Sequence, residues 1–282
     1  MKRFLSGILL VCFLWSSYGC RPSAEAGPLL EMICLDVGQG SATLLRTPEG
    51  DILVDAGTEA GQRELCLRLD SLGVEKLSLL ILTHSDEDHI GGADGILENF
   101  DTAQVWVNGV AGDNDSYRRF SDTVVRKNVP VETVEASDGT VFGGLYITVL
   151  SPFSDGEAGD GNVGSLVLLL KCASFSALIM GDAPDTVEKK LLEVYGAAHL
   201  SADVLCVGHH GSNDSACPEF LNAVQPSYAV ISCGAGNSYG HPDGRTLARL
   251  EDAGAEILRT DLSGDIRFSV FENEFYLSDK TN

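Results

Sequence analysis

Residues 83–92 read Thr83-His84-Ser85-Asp86-Glu87-Asp88-His89-Ile90-Gly91-Gly92 and follow the apolar run 77–82, which predicts a buried strand. From His84 to His89 the stretch carries imidazoles and carboxylates, the ligands that divalent first-row metals prefer. An aspartate that only caps the following helix would leave both histidines without a role. The stretch therefore predicts a metal site in a loop after a strand. Gly91 and Gly92 would let the next helical turn approach closely.

Metal-binding residue types also follow other predicted strands. Asp182 follows residues 177–181, and His209-His210 follows residues 204–208. Loops at the ends of neighbouring strands gather at one edge of a sheet. We therefore expect these side chains to meet the 83–92 loop in a single crevice.

The rest of the chain alternates strand and helix signals. Residues 30–57 predict three short strands joined by tight turns. Residues 59–72 have the apolar spacing of a helix that ends at Gly73, and a second helix is predicted from about residue 89 to residue 99. We predict one α/β domain over residues 29–282, built from two mixed sheets with helices outside.

The pattern His84-x-Asp86-x-Asp88-His89 resembles the metal-binding motif of the metallo-β-lactamase superfamily, and more closely that of its ComEC-like branch of DNA-uptake proteins. Further blocks match this branch in the same order: Asp36-Val37-Gly38-Gln39-Gly40, Asp55-Ala56-Gly57, Asn162 with Ser165, Gly181-Asp182, His209-His210-Gly211-Ser212 and Asn237-Ser238-Tyr239-Gly240-His241-Pro242. The resemblance implies a four-layer αββα sandwich with its site along the top edge of both sheets.

The same resemblance implies two divalent metal ions. The implied ligands are His84, Asp86, Asp88, His89, Asp182 and His210. His84 and Asp86 would hold the first ion, the other ligands would complete the second, and Asp182 would bridge both. The sequence leaves open whether His209 or His210 is a ligand; we expect His210, with His209 facing the substrate.

The identity of the metal stays open between zinc and manganese. In the wider superfamily a further histidine precedes the bridging aspartate, and this chain offers Asn162 and Ser165 in that region instead. The resulting ligand set has as many carboxylates as imidazoles. Harder oxygen ligands make manganese a serious competitor to zinc.

The remaining matched residues are expected to act around the metals. The predicted catalytic residues are Asp88, Asp182 and His209, and the predicted substrate-binding residues are Asn162, Ser165, His209, Asn237, Tyr239 and His241. Asp55 would orient a metal ligand through a hydrogen bond, and Asp36 would support the site. Ser41 and Ser212 lie in no GxSxG elbow, which excludes a serine hydrolase.

The implied reaction is in-line attack of a metal-bound hydroxide on a phosphodiester, with DNA as a possible substrate. Phosphodiesters of the cell envelope, of the teichoic-acid or phosphocholine type, are the closest alternative, because no basic stripe that could follow a nucleic acid is evident. A β-lactamase is weakened by Asp86 and the missing nitrogen ligand. A non-catalytic, metal-dependent surface binding protein is a different class of function, and the intact motif argues against it.

The chain is acidic, with 19 Lys and Arg residues against 41 Asp and Glu residues, for a formal net charge of -22. Such an excess opposes spontaneous adhesion to polyanions, although a bound metal pair dominates the charge inside a site. The six cysteines after Cys20 show no CxxC pair, and buried thiols explain most of them. One disulfide is possible, and the sequence does not identify it.

Residues 1–20 have the layout of an export signal: Lys2 and Arg3, an apolar run, and a small-polar segment that ends at Cys20. Gly19-Cys20 resembles a lipoprotein cleavage site, although Ser17 stands where an aliphatic residue is usual. Residues 21–28 predict a tether. We expect an exported protein, lipid-anchored through Cys20 on the outer face of the cytoplasmic membrane or otherwise secreted, with no protein partner evident.

Overall fold

The computed structural model describes residues 27–153 and 161–278. Its strands in chain order begin with β1 Leu30–Cys34, β2 Thr43–Thr47, β3 Gly50–Val54, β4 Lys76–Leu82, β5 Asp101–Thr102, β6 Val105–Val107 and β7 Val131–Thr133. They continue with β8 Gly139–Phe142, β9 Leu145–Ser151, β10 Val167–Cys172, β11 Phe175–Ile179, β12 Val204–Cys206, β13 Tyr228–Ile231 and β14 Glu256–Arg259. They end with β15 Ile266–Val270 and β16 Phe275–Ser278.

The helices lie between these strands. They are α1 Gln62–Ser71, α2 Glu87–Ile90, α3 Ala93–Asn99, α4 Asp115–Lys127, α5 Asp185–Tyr195, α6 Ala197–Leu200, α7 Pro218–Val224, α8 Gly244–Asp252 and α9 Thr260–Ser263. As predicted, α1 ends against Gly73, whose φ of 76° places it in the left-handed region that terminates many helices.

Two mixed sheets carry the fold. The first has the order β16-β15-β1-β2-β3-β4-β6-β7, with β5 paired to β4, and the second has the order β14-β13-β12-β11-β10-β9-β8. β3, β4, β6 and β7 run parallel to one another in the first sheet, and β11 to β14 do so in the second. The parallel strands of each sheet bring their carboxyl ends to one edge, where polar loops can converge.

The alternation of side chains in β1 shows how the layers form. Met32 and Cys34 point into the core between the two sheets, where they join Leu168 and Ala177 of the second sheet. Ile33 points the other way and packs in the cluster that the outer helices cover. A third apolar cluster lies beneath α5, α7 and α8 on the second sheet. The predicted four-layer αββα sandwich is confirmed.

The predicted helix over residues 89–99 differs from the structure. It begins earlier, at Glu87, and is interrupted at Gly91-Gly92 to give two short helices. A Cβ atom on Gly92 would lie 2.3 Å from the carbonyl oxygen of Ala56. The two glycines thus bring the helical segment against the loop after β3.

The thiols of all six cysteines in the described region are free. Cys34 Sγ of β1 and Cys206 Sγ of β12 are 3.9 Å apart across the two sheets. Within residues 27–153 and 161–278, no helix has the length and apolar character needed to cross a bilayer. The predicted export signal, with Cys20, and most of the predicted tether lie outside the described residues.

Candidate metal centre

The candidate site lies at the edge where β3, β4, β11 and β12 end. Asp55 follows β3, Thr83-His84 follows β4, Asp182 is the third residue after β11, and His209-His210 follows β12. The α2 segment returns Asp88 and His89 to the same edge. Residues from both sheets therefore meet here, as the positions of polar residues after apolar strands predict.

His84, His89 and Asp182 form a first group whose ligand atoms all lie within 4.8 Å of one another. Asp182 Oδ1 is 2.9 Å from His89 Nε2, and Asp182 Oδ2 is 3.8 Å from His84 Nε2. All three side chains are buried. This group could hold one cation.

Asp88, His89 and His210 form a second group with the same spacing. Asp88 Oδ2 lies 3.0 Å from His210 Nε2, and the Nε2 atoms of His89 and His210 are 3.3 Å apart. Asp182 Oδ2 is 3.6 Å from His210 Nε2, so the carboxylate of Asp182 contacts residues of both groups. The two groups could hold two cations with Asp182 between them.

The division of ligands differs from the expected one at two residues. His89, expected to serve the second ion alone, belongs to both groups. Asp86, expected to bind the first ion, belongs to neither: its side chain is 47% exposed and its Oδ2 is 3.7 Å from His84 Nε2. Asp86 stands at the N-cap of α2 without a capping hydrogen bond from its side chain, so that carboxylate is free to turn toward His84.

Hydrogen bonds on the far side of each ring determine which nitrogen faces the site. His89 Nδ1 donates to Asp55 Oδ2 at 2.7 Å, and His210 Nδ1 donates to the carbonyl oxygen of Ser232 at 2.8 Å. Asp55 also accepts from the amide and the hydroxyl of Thr83, and that hydroxyl is 3.1 Å from His84 Nδ1. These bonds leave the Nε2 lone pairs directed at the cluster, which is the arrangement a metal ligand needs.

The electrostatics of the cluster keep its carboxylates ionised. Burial alone would raise the pKa of Asp88, but His210 and His89 lower it to about 2. Burial opposes ionisation of Asp182 too, yet His89 and His210 hold its pKa well below the usual range. Conversely, burial would lower the pKa of both histidines, but Asp182 together with Asp55 at His89, and Asp182 together with Asp88 at His210, raises it above the usual value.

The residues fit the two divalent ions that the sequence predicts. Within the described region, the buried Nε2 atom of His84 has no hydrogen-bond partner. A cation would satisfy this atom and would separate the adjoining Nε2 atoms of His89 and His210. Imidazole nitrogen together with carboxylate oxygen suits zinc and manganese alike.

His209 and His210 diverge because both have left-handed backbones, with φ of 51° and 53°. His210 turns into the cluster, whereas His209 keeps a side chain that is 27% exposed. His209 Nδ1 lies 3.3 Å from Asp214 Oδ1, and its Nε2 lies 3.3 Å from the side-chain Nδ2 of Asn162. His209 thus faces a cleft of about 120 Å³, whose lining is Gln39, Asp86, Asp88, Asp182, His209, His210, Tyr239 and His241.

His241 and Tyr239 form the outer wall of this cleft. The ring of His241 lies 5.4 Å from the His209 ring and stacks with Tyr239 at 5.9 Å. Burial, followed by the neighbouring His209 and His210, lowers the pKa of His241. Within the described residues, the buried Nδ1 atom of His241 has no hydrogen-bond partner.

Three residues expected at the site have other contacts. Ser165 is buried, and its hydroxyl accepts from the amide of Asp182 at 3.1 Å, so it positions that ligand instead of substrate. Asn237 holds the backbone of His241 at 3.1 Å through its carbonyl oxygen. Asp36 is exposed and accepts from the amide of Gly38, so it serves the turn.

The sequence alone indicated no role at the site for Thr83, Asp214 or Gln39. Thr83 directly precedes the first ligand, and its small polar side chain at a strand end was the available signal. Asp214 follows the His209-His210 turn, and Gln39 lies in the Gly38-Gln39-Gly40 turn. Only the folded chain brings Gln39 to the cleft and Asp214 to the ring of His209.

Comparisons with known proteins agree with this fold. The sequence profile described as the metallo-beta-lactamase superfamily matches residues 35–235. The chain is 30% identical over 292 residues to ComE operon protein 3 of Bacillus subtilis, covering 95% of this chain and 37% of that protein. It is 33% identical over 252 residues to competence protein ComA of Neisseria gonorrhoeae, covering 89% of this chain and 34% of that protein. The chain therefore spans only about a third of the length of these curated relatives.

Solved structures show the same fold at low sequence identity. The metallo-beta-lactamase fold protein YhfI of Bacillus subtilis superposes with a TM-score of 0.54 at 13% identity, covering 83% of this chain and 96% of that one. CmlA, a diiron beta-hydroxylase of Streptomyces venezuelae, superposes with a TM-score of 0.57 at 15% identity, covering 87% of this chain and 55% of that one. The chain belongs to the metallo-beta-lactamase superfamily and carries the His/Asp cluster of a metal-dependent hydrolase.

Proposed function

We propose that this protein is a dinuclear-metal phosphodiesterase, with DNA as the first substrate to test. The observation that carries the proposal is the contact of the Asp182 carboxylate with histidines of both ligand groups. When bound there, two divalent ions would supply an acidified water and would neutralise charge on the attacked phosphate. With the carboxylate of Asp86 turned toward His84 as a third anionic ligand, Asp86, Asp88 and Asp182 against two dications would leave a net charge of about plus one, which favours an anionic phosphodiester over a neutral amide.

His209 is suited to the departing oxygen. Its Nδ1 atom lies against Asp214, which orients the ring, and its Nε2 atom is 4.0 Å from Asp182 Oδ2. Once protonated on Nε2, a histidine held in this way can deliver that proton to a leaving group in the cleft. Asn162 on one side and His241 on the other restrict the space in which that group lies.

The test uses protein stripped of metal and then supplied with zinc or manganese. Hydrolysis of bis-p-nitrophenyl phosphate and of single-stranded DNA is measured for the wild type, Asp182→Ala and a control, Asp203→Asn, whose carboxylate binds Ser176 at the opposite end of the second sheet. We expect metal-dependent hydrolysis that Asp182→Ala abolishes and Asp203→Asn retains. Two bound metals without turnover of either substrate would contradict the proposal.

A phosphodiester of the cell envelope is the second candidate, favoured by the net charge of -22. An acidic surface opposes long contacts with a nucleic acid but affects a small phosphocholine ester less. Glycerophosphocholine is the probe for this activity. Faster release of choline than of nucleotides would move the assignment to the envelope substrate.

We also propose that the protein is exported and carries a lipid on Cys20. The basic and apolar opening of the chain and Gly19-Cys20 support this placement. In bacterial cells, Cys20→Ala should abolish incorporation of labelled palmitate and release the protein from the membrane fraction. Equal labelling of both proteins would contradict the anchor.

A further inference from the structure

Gln39 brings an unpaired donor to the cleft. Its side chain lines the cleft beside Asp88, Asp182, His210 and His241. Within the described residues, its buried Nε2 atom has no hydrogen-bond partner. A buried amide donor without an acceptor costs free energy, so an acceptor supplied by a ligand would be favoured there.

The orientation of the carboxamide follows from one contact. The amide of Gly234 lies 3.2 Å from Gln39 Oε1. A backbone N–H can only donate, so the oxygen of the side chain must face it and the NH₂ group must face away. The free donor is therefore fixed on the other side of the carboxamide.

The backbone around Gln39 is held equally firmly. A Cβ atom on Gly40 would lie 2.3 Å from the carbonyl oxygen of Asp88, and a Cβ atom on Gly234 would lie 2.6 Å from the amide nitrogen of Gln39. The amide of Ser41 donates to the same Asp88 oxygen at 3.0 Å. These close approaches attach the Gln39 turn to the loop that carries a metal ligand, so little reorganisation is needed for binding.

We propose that Gln39 Nε2 donates a hydrogen bond to a non-bridging oxygen of the substrate phosphate. The inference rests on the proposed phosphodiesterase function and adds a substrate-binding residue to it. A neutral donor fixed beside the metal ligands stabilises negative charge on that oxygen without repelling the cations. Gln39 would thus supply a second, uncharged contact to the phosphate, beside His209 in the cleft lining.

Two variants separate the donor from the structural contact. Gln39→Glu keeps an oxygen for the Gly234 amide and removes the donor, whereas Gln39→Ala removes both. Gln104→Ala, which loses only a bond to Glu132 on the first sheet, is the matched control. Binding of inorganic phosphate to the metal-loaded protein is measured by calorimetry, and metal content is determined on the same samples.

We expect two bound metals in every protein, an affinity for phosphate about tenfold lower in Gln39→Ala, and a larger loss in Gln39→Glu. Wild-type affinity in Gln39→Glu would overturn the inference, even if Gln39→Ala is weakened. Absence of phosphate binding to the wild type would overturn it too, as would loss of metal in both variants, which would make Gln39 part of the metal site.

Hydrolysis of bis-p-nitrophenyl phosphate distinguishes the two proposals. If the wild type binds phosphate through Gln39 but cleaves nothing, the phosphodiesterase function fails and the anion contact stands. If the wild type cleaves and both Gln39 variants keep its kcat/KM and phosphate affinity, the function stands and the inference fails.

Discussion

Asp55 Oδ2 lies 2.7 Å from Nδ1 of His89, and both side chains are buried at the junction of the two candidate metal groups. The same carboxylate accepts from the amide of Thr83 through Oδ1, and the Thr83 hydroxyl lies 3.0 Å from Oδ1 and 2.9 Å from Oδ2. Asp55 therefore needs both of its oxygens: one for the strand end and one for the metal ligand.

Asp55→Asn should weaken metal binding by about 10- to 100-fold, because an amide has one oxygen and cannot accept from both Thr83 and His89. Asparagine tolerates the left-handed backbone of Asp55, whose φ is 60°, so the fold should persist. Competition with a chromophoric chelator measures the affinity for zinc. Unchanged affinity in Asp55→Asn would show that the hydrogen bond from His89 to Asp55 does not contribute to metal binding.

Replacing each of the adjacent histidines should have different effects. His210→Ala should lower metal content, because His210 belongs to a ligand group, whereas His209→Ala should keep the metals and lower kcat by about 10²- to 10⁴-fold. Elemental analysis and hydrolysis of bis-p-nitrophenyl phosphate measure the two effects. The exposed His199 of α6 gives the control variant His199→Ala. Metal loss in His209→Ala, with metal retained in His210→Ala, would make His209 the ligand and His210 the substrate-facing residue.

Gly92→Ala should destabilise the protein by about 1–3 kcal/mol, because its methyl group would overlap the carbonyl oxygen of Ala56. A Cβ atom on Gly244, at the start of α8, meets nothing within 4 Å. Gly244→Ala should therefore change the free energy of unfolding by no more than about 0.5 kcal/mol. Urea denaturation of the chelator-treated proteins measures both values. Equal stability of the two variants would contradict the close contact between Gly92 and the carbonyl oxygen of Ala56.

Glu188 makes stability depend on pH. The carboxylate of this α5 residue accepts from the amides of Ala216 and Cys217 at 2.6 and 2.7 Å. Burial raises its pKa to about 7, although these two hydrogen bonds lower it. Because the folded pKa exceeds the ordinary 4.5, the stabilising contribution is complete below pH 4.5 and is lost as pH rises through about 7.

Glu188→Gln cannot titrate at this position. The free energy of unfolding of the wild type relative to Glu188→Gln should therefore fall by roughly 1–3 kcal/mol between pH 5 and pH 8. Urea denaturation at both pH values, in the presence of a chelator, measures the difference. A difference that stays constant across this range would contradict the raised pKa.

Most of the fold follows from local pattern. The alternation in β1 separates Met32 from Ile33 into different cores, and the apolar run of β4 ends at His84. Short polar strands such as β7 and β8 escaped prediction because their residues are half-buried or exposed and show no clear period. Their pairing comes from neighbouring strands, which local sequence does not encode.

The candidate site was predictable in its residue types but less so in its contacts. Imidazoles and carboxylates after strands indicated where a cluster would form. The division between His209 and His210 depends on two left-handed backbones, and the position of Gln39 depends on Gly234, which lies in a distant part of the sequence. Contacts of that kind require the tertiary structure.

The two sheets contribute to the same cluster: His84 and Asp88 come from the segment after β4 of the first sheet, and Asp182 and His210 from the segments after β11 and β12 of the second. A bound cation would therefore act as a long-range cross-link, closing the large loop of chain between its ligands much as a disulfide does. Loss of the ion would then weaken the packing between the two sheets as well as abolish hydrolysis. Resistance to proteolysis would report on the occupancy of the site.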